Sequence, residues 1–505
     1  MDIPRLIREL SRPEAYPHPA DDLRSLQTHI SVVFLSGKWA YKVKKPLDLG
    51  FLDFSTLERR RHFCREEVRL NRRLAPDVYR GVVPIVEVDG RLRISGDPDG
   101  SSTDPNAVEY AVKMRRLPEG ATLLARLERD ELTGADVERI ALRIADFHRD
   151  AERSDEIASY GRWSVVAENA MDNFRASREQ VGDVVSTSVF RRLERRTEQE
   201  LERLRDLVEA RAGRGVPCDT HGDLHLQHVY LFPAREPPDD LVVVDCVEFN
   251  DRFRYADPVA DAAFLSMDLR YRGRRDLADL FADAYFDRAG DEEGRGLLPL
   301  YEAYRSAVRA KVEGLRALEE NVPAQERAEA RTAARAYWTV GLGALSPPAR
   351  RPCLVLVGGL PGTGKSTLSR ALGDRAGFRV FSSDRVRKEL AGLPLDADAG
   401  EAFGRGIYSS DWTERTYGEL LDRAVRELGQ GGRVVVDASF REEERRRRFL
   451  DAACRSGVPF LFLLCRASGG VASRRLDERG SDVSDADRSV LQEMASRWEP
   501  PSASV

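Results

Sequence analysis

The sequence predicts a multidomain chain of mixed α/β and α+β class that ends in a parallel sheet with helices on both faces. Three observations predict it. Four short apolar runs, 353–357, 379–381, 433–436 and 460–464, are separated by helix-length segments, the alternation of a parallel sheet. The first two-thirds instead place strand-like segments ahead of long helical ones. At 505 residues the chain also exceeds what one hydrophobic core organises.

The elements follow in order. Residues 28–45 read as two strands around a tight turn, 31–35 and 39–44 with Ser36-Gly37 between them. From about Thr56 to Leu74 apolar residues recur at helical spacing, and Pro76 stops the run. Strand-like pieces return at 81–88, 92–95 and 108–117, and helical stretches run from Leu123 to about Leu207. A compact strand-and-loop segment spans Cys218 to Asp245, followed mostly by helix to about Glu320. Residues 321–350 carry Asn-Val-Pro and Ser-Pro-Pro-Ala-Arg-Arg-Pro, the composition of a connector with a helix before its prolines. The expected domains are therefore 1–320, divided near 117 into a first part from about 25 and a second from 118, and 351–505. There is no internal repeat and no low-complexity tract.

Bulk composition narrows the function classes. A hydrophobic share of 42% with 33% charged residues suits a globular protein. A net charge of −5 offers no global attraction for nucleic acid or an anionic membrane. The six cysteines form no Cys-x-x-Cys pair, so they read as buried thiols in a reducing compartment. No stretch approaches a membrane span, and the N-terminus lacks an apolar signal core, so a cytoplasmic location is expected.

The sharpest motif follows the strand at 353–357: Gly359-Leu360-Pro361-Gly362-Thr363-Gly364-Lys365-Ser366, then a helix from Thr367. Glycines let successive N–H groups turn inward onto phosphate oxygens, and the helix N-terminus adds partial positive charge there. Lys365 is expected on the β- and γ-phosphates of ATP, and the Ser366 hydroxyl on Mg²⁺. Asp384 and Asp437 lie at strand C-termini, where ligands of open parallel sheets converge. Asp437 is placed to order the metal's water shell, and Asp384 to take a proton from an attacking hydroxyl. For both, a helix N-cap is the competing reading. Arg475 and Arg479 stand four apart on one helical face, either as a lid over the migrating phosphoryl group or as a solvated charged helix. The run 441–448, dense in arginine, reads first as a solvated face.

Together the P-loop, Ser-Ser-Asp384-Arg-Val-Arg387, Val-Val-Val-Asp437-Ala-Ser-Phe and Arg475-Leu-Asp-Glu-Arg479 resemble the P-loop kinases of hydroxyl acceptors. Gluconate kinases, zeta-type toxins and the kinase part of polynucleotide kinases belong to that group. The resemblance spans nearly all of 351–505. It implies Asp384 as general base and Arg387 as an acceptor ligand.

Further upstream, His221-Gly-Asp223-Leu-His225-Leu-Gln-His228 precedes Leu241-Val-Val-Val-Asp245-Cys-Val-Glu248. These segments resemble the catalytic loop and metal-binding strand of aminoglycoside phosphotransferases, which have the protein-kinase fold. The resemblance covers about 25–320. It implies Asp223 as the carboxylate on an acceptor hydroxyl and Asp245 as a Mg²⁺ ligand. Ala256-Asp257-Pro-Val-Ala-Asp261 is similar to a structural segment of that family. Trp39-Ala-Tyr-Lys42 reads like the Val-Ala-Ile-Lys strand, which makes Lys42 the phosphate lysine, Lys44 the second choice and Glu67 the partner carboxylate. Met114–Leu117 takes the place of the inter-lobe hinge.

Two departures from that family stand out. His228 occupies the metal-binding asparagine position, and imidazole is a poorer ligand for hard Mg²⁺ than an amide oxygen. Thr28-His-Ile-Ser31, which should cover the phosphates, has no glycine. His221 and His225 read first as hydrogen-bonded structural residues, and a zinc cluster lacks further ligands that the sequence can place.

As a whole the chain resembles bacterial two-domain proteins that join an aminoglycoside-phosphotransferase-like domain to a P-loop kinase. The expected activity is transfer of the γ-phosphoryl of Mg-ATP to a hydroxyl of a small-molecule acceptor. A regulatory ATP-binding module and a polynucleotide 5′-hydroxyl kinase are the alternatives. The acidic balance and the lack of an aromatic stacking platform disfavour the second.

Overall fold

A computed structural model describes residues 2–50, 52–96, 105–394, 406–477 and 488–502. The chain divides into two compact units. One comprises Met1–Val165, Asp206–Asp268 and Asp276–Leu298; the other comprises Val166–Arg205, Leu269–Arg275 and Pro299–Val505.

The first unit has a strand-rich lobe followed by a helical one. Its strand-rich lobe is a six-stranded sheet of β1 (Arg24–Gln27), β2 (Ser31–Ser36), β3 (Trp39–Lys44), β4 (Tyr79–Val88), β5 (Arg91–Ile94) and β6 (Ala107–Arg115). The spatial order is β1-β2-β3-β6-β4-β5, and every pairing is antiparallel. The expected strands are all present. β1 has no sequence signal, because Arg-Ser-Leu-Gln is exposed at every position and shows no alternation of apolar residues.

The helix Leu57–Asn71 starts on Thr56, whose hydroxyl accepts the Arg59 N–H. It buries Cys64, Glu67 and Val68, and Cys64 and Val68 share a core with Val82, Tyr110 and Val112 of β4 and β6. A glutamate on that buried face is the first sign of a site beneath the sheet. The second lobe is helical apart from four short strands, β7 (Cys218–Asp219), β8 (Val229–Leu231), β9 (Leu241–Val243) and β10 (Tyr255–Ala256). They pair as β7 with β10 and β8 with β9.

The second unit is built on β11 (Cys353–Gly359), β12 (Arg379–Ser382), β13 (Arg433–Asp437) and β14 (Phe460–Cys465), all parallel in the order β12-β13-β11-β14. Along β11 the faces alternate. Leu354 and Leu356 pack with Val434, Val436, Leu420 and Phe449. Val355 and Val357 pack with Val435, Leu368 and Leu372. Both faces are thus covered by helices, which is why these strands read as continuous apolar runs.

The same unit includes the helix Ala324–Ala344 within the stretch 321–350. Its Ala330, Ala334, Tyr337, Trp338 and Leu342 are buried. Trp338 meets Phe174 and Phe190 at ring-centroid distances of 5.7 and 5.3 Å. Its indole N–H is buried with no hydrogen-bond partner. Trp338→Phe is therefore expected to cost only about 1 kcal/mol in chemical denaturation. The cavity it leaves is partly offset by removal of an unsatisfied donor.

All six cysteines are free, and burial pushes the Cys64, Cys218 and Cys246 thiols up to about 12. No helix among the described residues is long and apolar enough to cross a membrane.

Candidate functional site

The C-terminal site begins where β11 ends. Gly359, Gly362 and Gly364 have φ of +140°, +77° and +97°, backbone that side chains rarely adopt. A Cβ on Gly359 would stand 2.4 Å from the Cys465 carbonyl oxygen, and one on Gly362 would stand 2.6 Å from that of Ala472. The bend therefore requires glycine, and it leads into the helix Lys365–Ala376, whose first amides have no intrahelical partners. Such a bend fits a phosphate. Gly362→Ala is expected to weaken nucleotide binding at least about tenfold by calorimetry, because strain of about 1–2 kcal/mol falls on the cradle itself.

Lys365 Nζ donates to the Leu360 carbonyl at 2.9 Å, and Thr363 Oγ1 donates to the same oxygen at 2.7 Å. The lysine thus lies folded over the bend formed by Leu360 and Pro361. Ser366 and Thr367 are exposed at the helix start.

Asp437 ends β13 beside Val357 of β11 and Ser382 of β12, with 4% of its surface exposed. Asp384 lies in the first turn of the helix Ser383–Ala391, whose N-cap is Ser382. The helix after β13 is Glu443–Arg455, with Glu442 at its N-cap. Neither aspartate is a cap. Both follow adjacent strand ends, on the edge of the sheet from which the glycine bend also departs.

Arg475, in the helix Gly469–Asp477, donates through Nη1 to the Gly362 carbonyl at 3.4 Å. Arg479 lies outside the described residues. Arg387 is oriented differently: it is 6% exposed, donates to the Ile407 carbonyl at 2.5 Å and stacks over Tyr408. Its guanidinium is committed to the adjoining helical segment. The run 441–448 is not simply a solvated face either. Arg446 is fully buried and donates to the Phe440, Glu499 and Pro500 carbonyls, tying the C-terminal segment to the sheet.

The other site lies in the first unit. Lys42 Nζ stands 2.5 Å from Asp245 Oδ1 and 3.0 Å from Glu67 Oε1. Lys44, two residues on and pointing the same way, donates to Glu67 Oε2 at 2.7 Å and to Glu248. Burial works against the charge on Lys42, yet Asp245, Glu67 and Glu248 hold its ammonium well above the usual lysine range. Burial would likewise raise the Asp245 carboxyl, but Lys42 and the His228 ring together hold it well below the ordinary value.

Asp245 has φ +66°, and its N–H donates to the Tyr79 hydroxyl at 3.2 Å. A non-glycine residue in that region is the kind of local strain that accompanies functional positions.

The loop carrying Asp223 is tied down by Asp261, which accepts the His221 and Gly222 N–H groups at 2.6 and 2.9 Å. His221 bonds the Val244 carbonyl at 3.0 Å, and burial pushes its ring down to about 4. Burial, and then His225, also hold the His228 ring below the ordinary range. Asp223, His225 and His228 each bring one ligand atom to within 4.8 Å of the others. The turn Thr28–Ser31 is closed by its own bonds, Thr28 N–H to the Ser31 carbonyl at 2.9 Å and Ser31 N–H to Thr28 Oγ1 at 3.0 Å.

Residues 354–501 match the AAA domain family. Over 487 residues the chain is 33% identical to uncharacterized protein Rv2004c of Mycobacterium tuberculosis (strain ATCC 25618 / H37Rv), covering 96% of this chain and 92% of that protein. The same figures hold for uncharacterized protein Mb2027c of Mycobacterium bovis (strain ATCC BAA-935 / AF2122/97). The chain belongs to their family.

Similar solved structures include the amicoumacin kinase hAmiN, at 12% identity and a TM-score of 0.40, covering 67% of this chain and 93% of that one. A thermostable mutant of aminoglycoside phosphotransferase APH(4)-Ia gives 15% and 0.38, with 67% and 99% covered. A gluconokinase from Sinorhizobium meliloti 1021 gives 23% and 0.23, with 31% and 80% covered.

Sequence reasoning missed two parts of the first site. Glu248 closes the carboxylate ring around Lys44, and Asn71 Oδ1 accepts the Cys246 N–H at 2.9 Å. The only available signal was composition, a lysine and a glutamate inside otherwise buried segments.

Proposed function

We propose that the chain is an ATP-dependent phosphotransferase that moves the γ-phosphoryl of Mg-ATP to a hydroxyl of a small-molecule acceptor at the C-terminal site. One observation carries this reading: a glycine bend with Lys365 and two separate carboxylates, Asp384 and Asp437, depart from adjacent C-terminal strand ends of one parallel sheet. In this reading the loop amides and Lys365 bind the triphosphate, and Ser366 and Asp437 hold Mg²⁺, directly or through water. Asp384 takes the acceptor proton, while Arg475, with Arg479, neutralises charge on the migrating group. Arg387 shapes the pocket wall from behind.

The first unit is a second nucleotide-binding centre, with Lys42 and Glu67 on phosphate, Asp245 and His228 on metal, and Asp223 toward an acceptor. A regulatory role for this unit is favoured by one observation, the ion pair that Lys42 makes with Asp245, since both groups must serve nucleotide or metal when the site is loaded.

The test is a metabolite-library screen with γ-labelled ATP on the parent, Asp223→Asn and Asp384→Asn. Labelled product retained in Asp223→Asn and lost in Asp384→Asn is expected. Undiminished product from Asp384→Asn overturns the assignment, and product lost only in Asp223→Asn moves the chemistry to the first unit.

A further inference from the structure

In the first unit an imidazole nitrogen of His228 faces an Asp245 carboxylate oxygen, a donor pair poorly matched to hard Mg²⁺. We propose that His228 and Asp245 bind a borderline divalent transition metal of the Zn²⁺ or Co²⁺ type, with Asp223 and His225 positioning the His228 ring. The proposal does not depend on the reading of the C-terminal site.

The first argument is the tautomer. His228 Nδ1 lies 2.9 Å from the Asp223 main-chain carbonyl, an acceptor only, so the ring proton sits on Nδ1. Nε2 then presents a lone pair, and the atom it faces is Asp245 Oδ2 at 3.5 Å. Two electron-rich atoms held face to face repel unless a cation lies between them. A main-chain carbonyl fixing one imidazole nitrogen so that the other can ligate is the usual arrangement of metal-binding histidines. In a tetrahedral site with bonds of about 2.0–2.1 Å, neighbouring ligand atoms stand about 3.3 Å apart. The observed 3.5 Å is close to that spacing.

A second argument is charge. Two ammonium groups, on Lys42 and Lys44, meet three carboxylates, on Glu67, Asp245 and Glu248. Asp223 adds a fourth within reach of His228, its Oδ2 3.5 Å from Nδ1. The excess of two negative charges equals the charge of one divalent cation. Lys42 engages Asp245 through Oδ1, which leaves Oδ2 turned to His228.

The third argument is ring placement. The His225 ring lies against that of His228, tilted by 36° with centroids 3.8 Å apart, and its Nε2 lies 3.6 Å from Asp223 Oδ2. Gln227 N–H donates to His225 Nδ1 at 3.3 Å, so the His225 proton resides on Nε2, toward Asp223. That makes His225 a support for its neighbours rather than a leading ligand. Mg²⁺ prefers an all-oxygen octahedron, whereas imidazole suits the later divalent metals.

The test uses the full chain stripped of metal and titrated with Co²⁺ without nucleotide, read by equilibrium dialysis and visible absorption. About one equivalent should bind with the d–d bands of imidazole-ligated Co²⁺, persist in a large excess of Mg²⁺ and be displaced by Zn²⁺. His228→Asn should weaken Co²⁺ binding at least about tenfold and change the spectrum. Displacement by Mg²⁺ at comparable concentration, absence of Co²⁺ binding, or an unchanged affinity and spectrum in a folded His228→Asn each overturns the proposal. If circular dichroism shows His228→Asn to be unfolded, Asp245→Asn and the Mg²⁺ competition on the parent decide by the same criteria.

Discussion

Lys365→Ala is expected to slow phosphoryl transfer at the C-terminal site on the order of 10³-fold, about 4 kcal/mol of transition-state stabilisation. The reason lies in what the lysine does without a ligand. Its Nζ is tied to the Leu360 carbonyl at 2.9 Å, inside the same bend that would surround the phosphates. That bond is neutral–charged and half-exposed, so losing it costs the fold little. A triphosphate instead presents several negative oxygens at the mouth of a helix, and no other side chain of the bend carries a charge. The ammonium is thus better matched to the transition state than to the empty loop. Phosphotransfer should collapse while the thermal midpoint moves by only a few degrees. Initial rates with γ-labelled ATP and a melting scan on the same preparation check both halves. A rate within threefold of the parent would sink the assignment of chemistry to this loop.

Legibility differed between the two sites for a physical reason. The C-terminal one is local in sequence: strand, glycine bend, lysine and helix occupy 353–376 without a break, and each part leaves its own mark in composition. Asp384 and Asp437 were readable because parallel strands place their C-terminal ends together whatever the loops do. Arg387 as an acceptor ligand was implied by the resemblance to P-loop kinases. Its actual environment is decided by Ile407 and Thr413, which no spacing within 381–387 encodes.

The first site is assembled from segments up to 204 positions apart, as in the Lys44–Glu248 pair. Its fold was legible through the His221–His228 and Leu241–Glu248 segments. The double use of Glu67 and the role of Glu248 were not, because two lysines on one strand face look alike until their partners are placed. The arginine run 441–448 misled for a similar reason: burial of Arg446 is imposed by carbonyls at 499 and 500, far from the run itself.

Glu67→Ala should destabilise the first unit by about 3 kcal/mol, the lower end of the cost of breaking a buried ion pair from one side. Glu67 is fully buried and serves both ammonium groups, Lys42 at 3.0 Å and Lys44 at 2.7 Å. Removing it leaves each lysine with a single carboxylate, Asp245 or Glu248, so the loss falls short of that for two orphaned charges. Three consequences separate this from a simple cavity effect. Glu67→Gln, which keeps the volume, should recover little, since what is missing is charge. Lys44→Met should cost less in the Glu67→Ala background than in the parent, because Lys44 has already lost one of its two carboxylates there, giving a favourable coupling in a double-mutant cycle. Metal or nucleotide affinity in the first unit should fall as well, because Lys42 then pairs with Asp245 alone and competes harder for its carboxylate. Urea denaturation of the parent and the three variants of the cycle measures the coupling. Strict additivity would mean that the two lysines do not share Glu67 in solution.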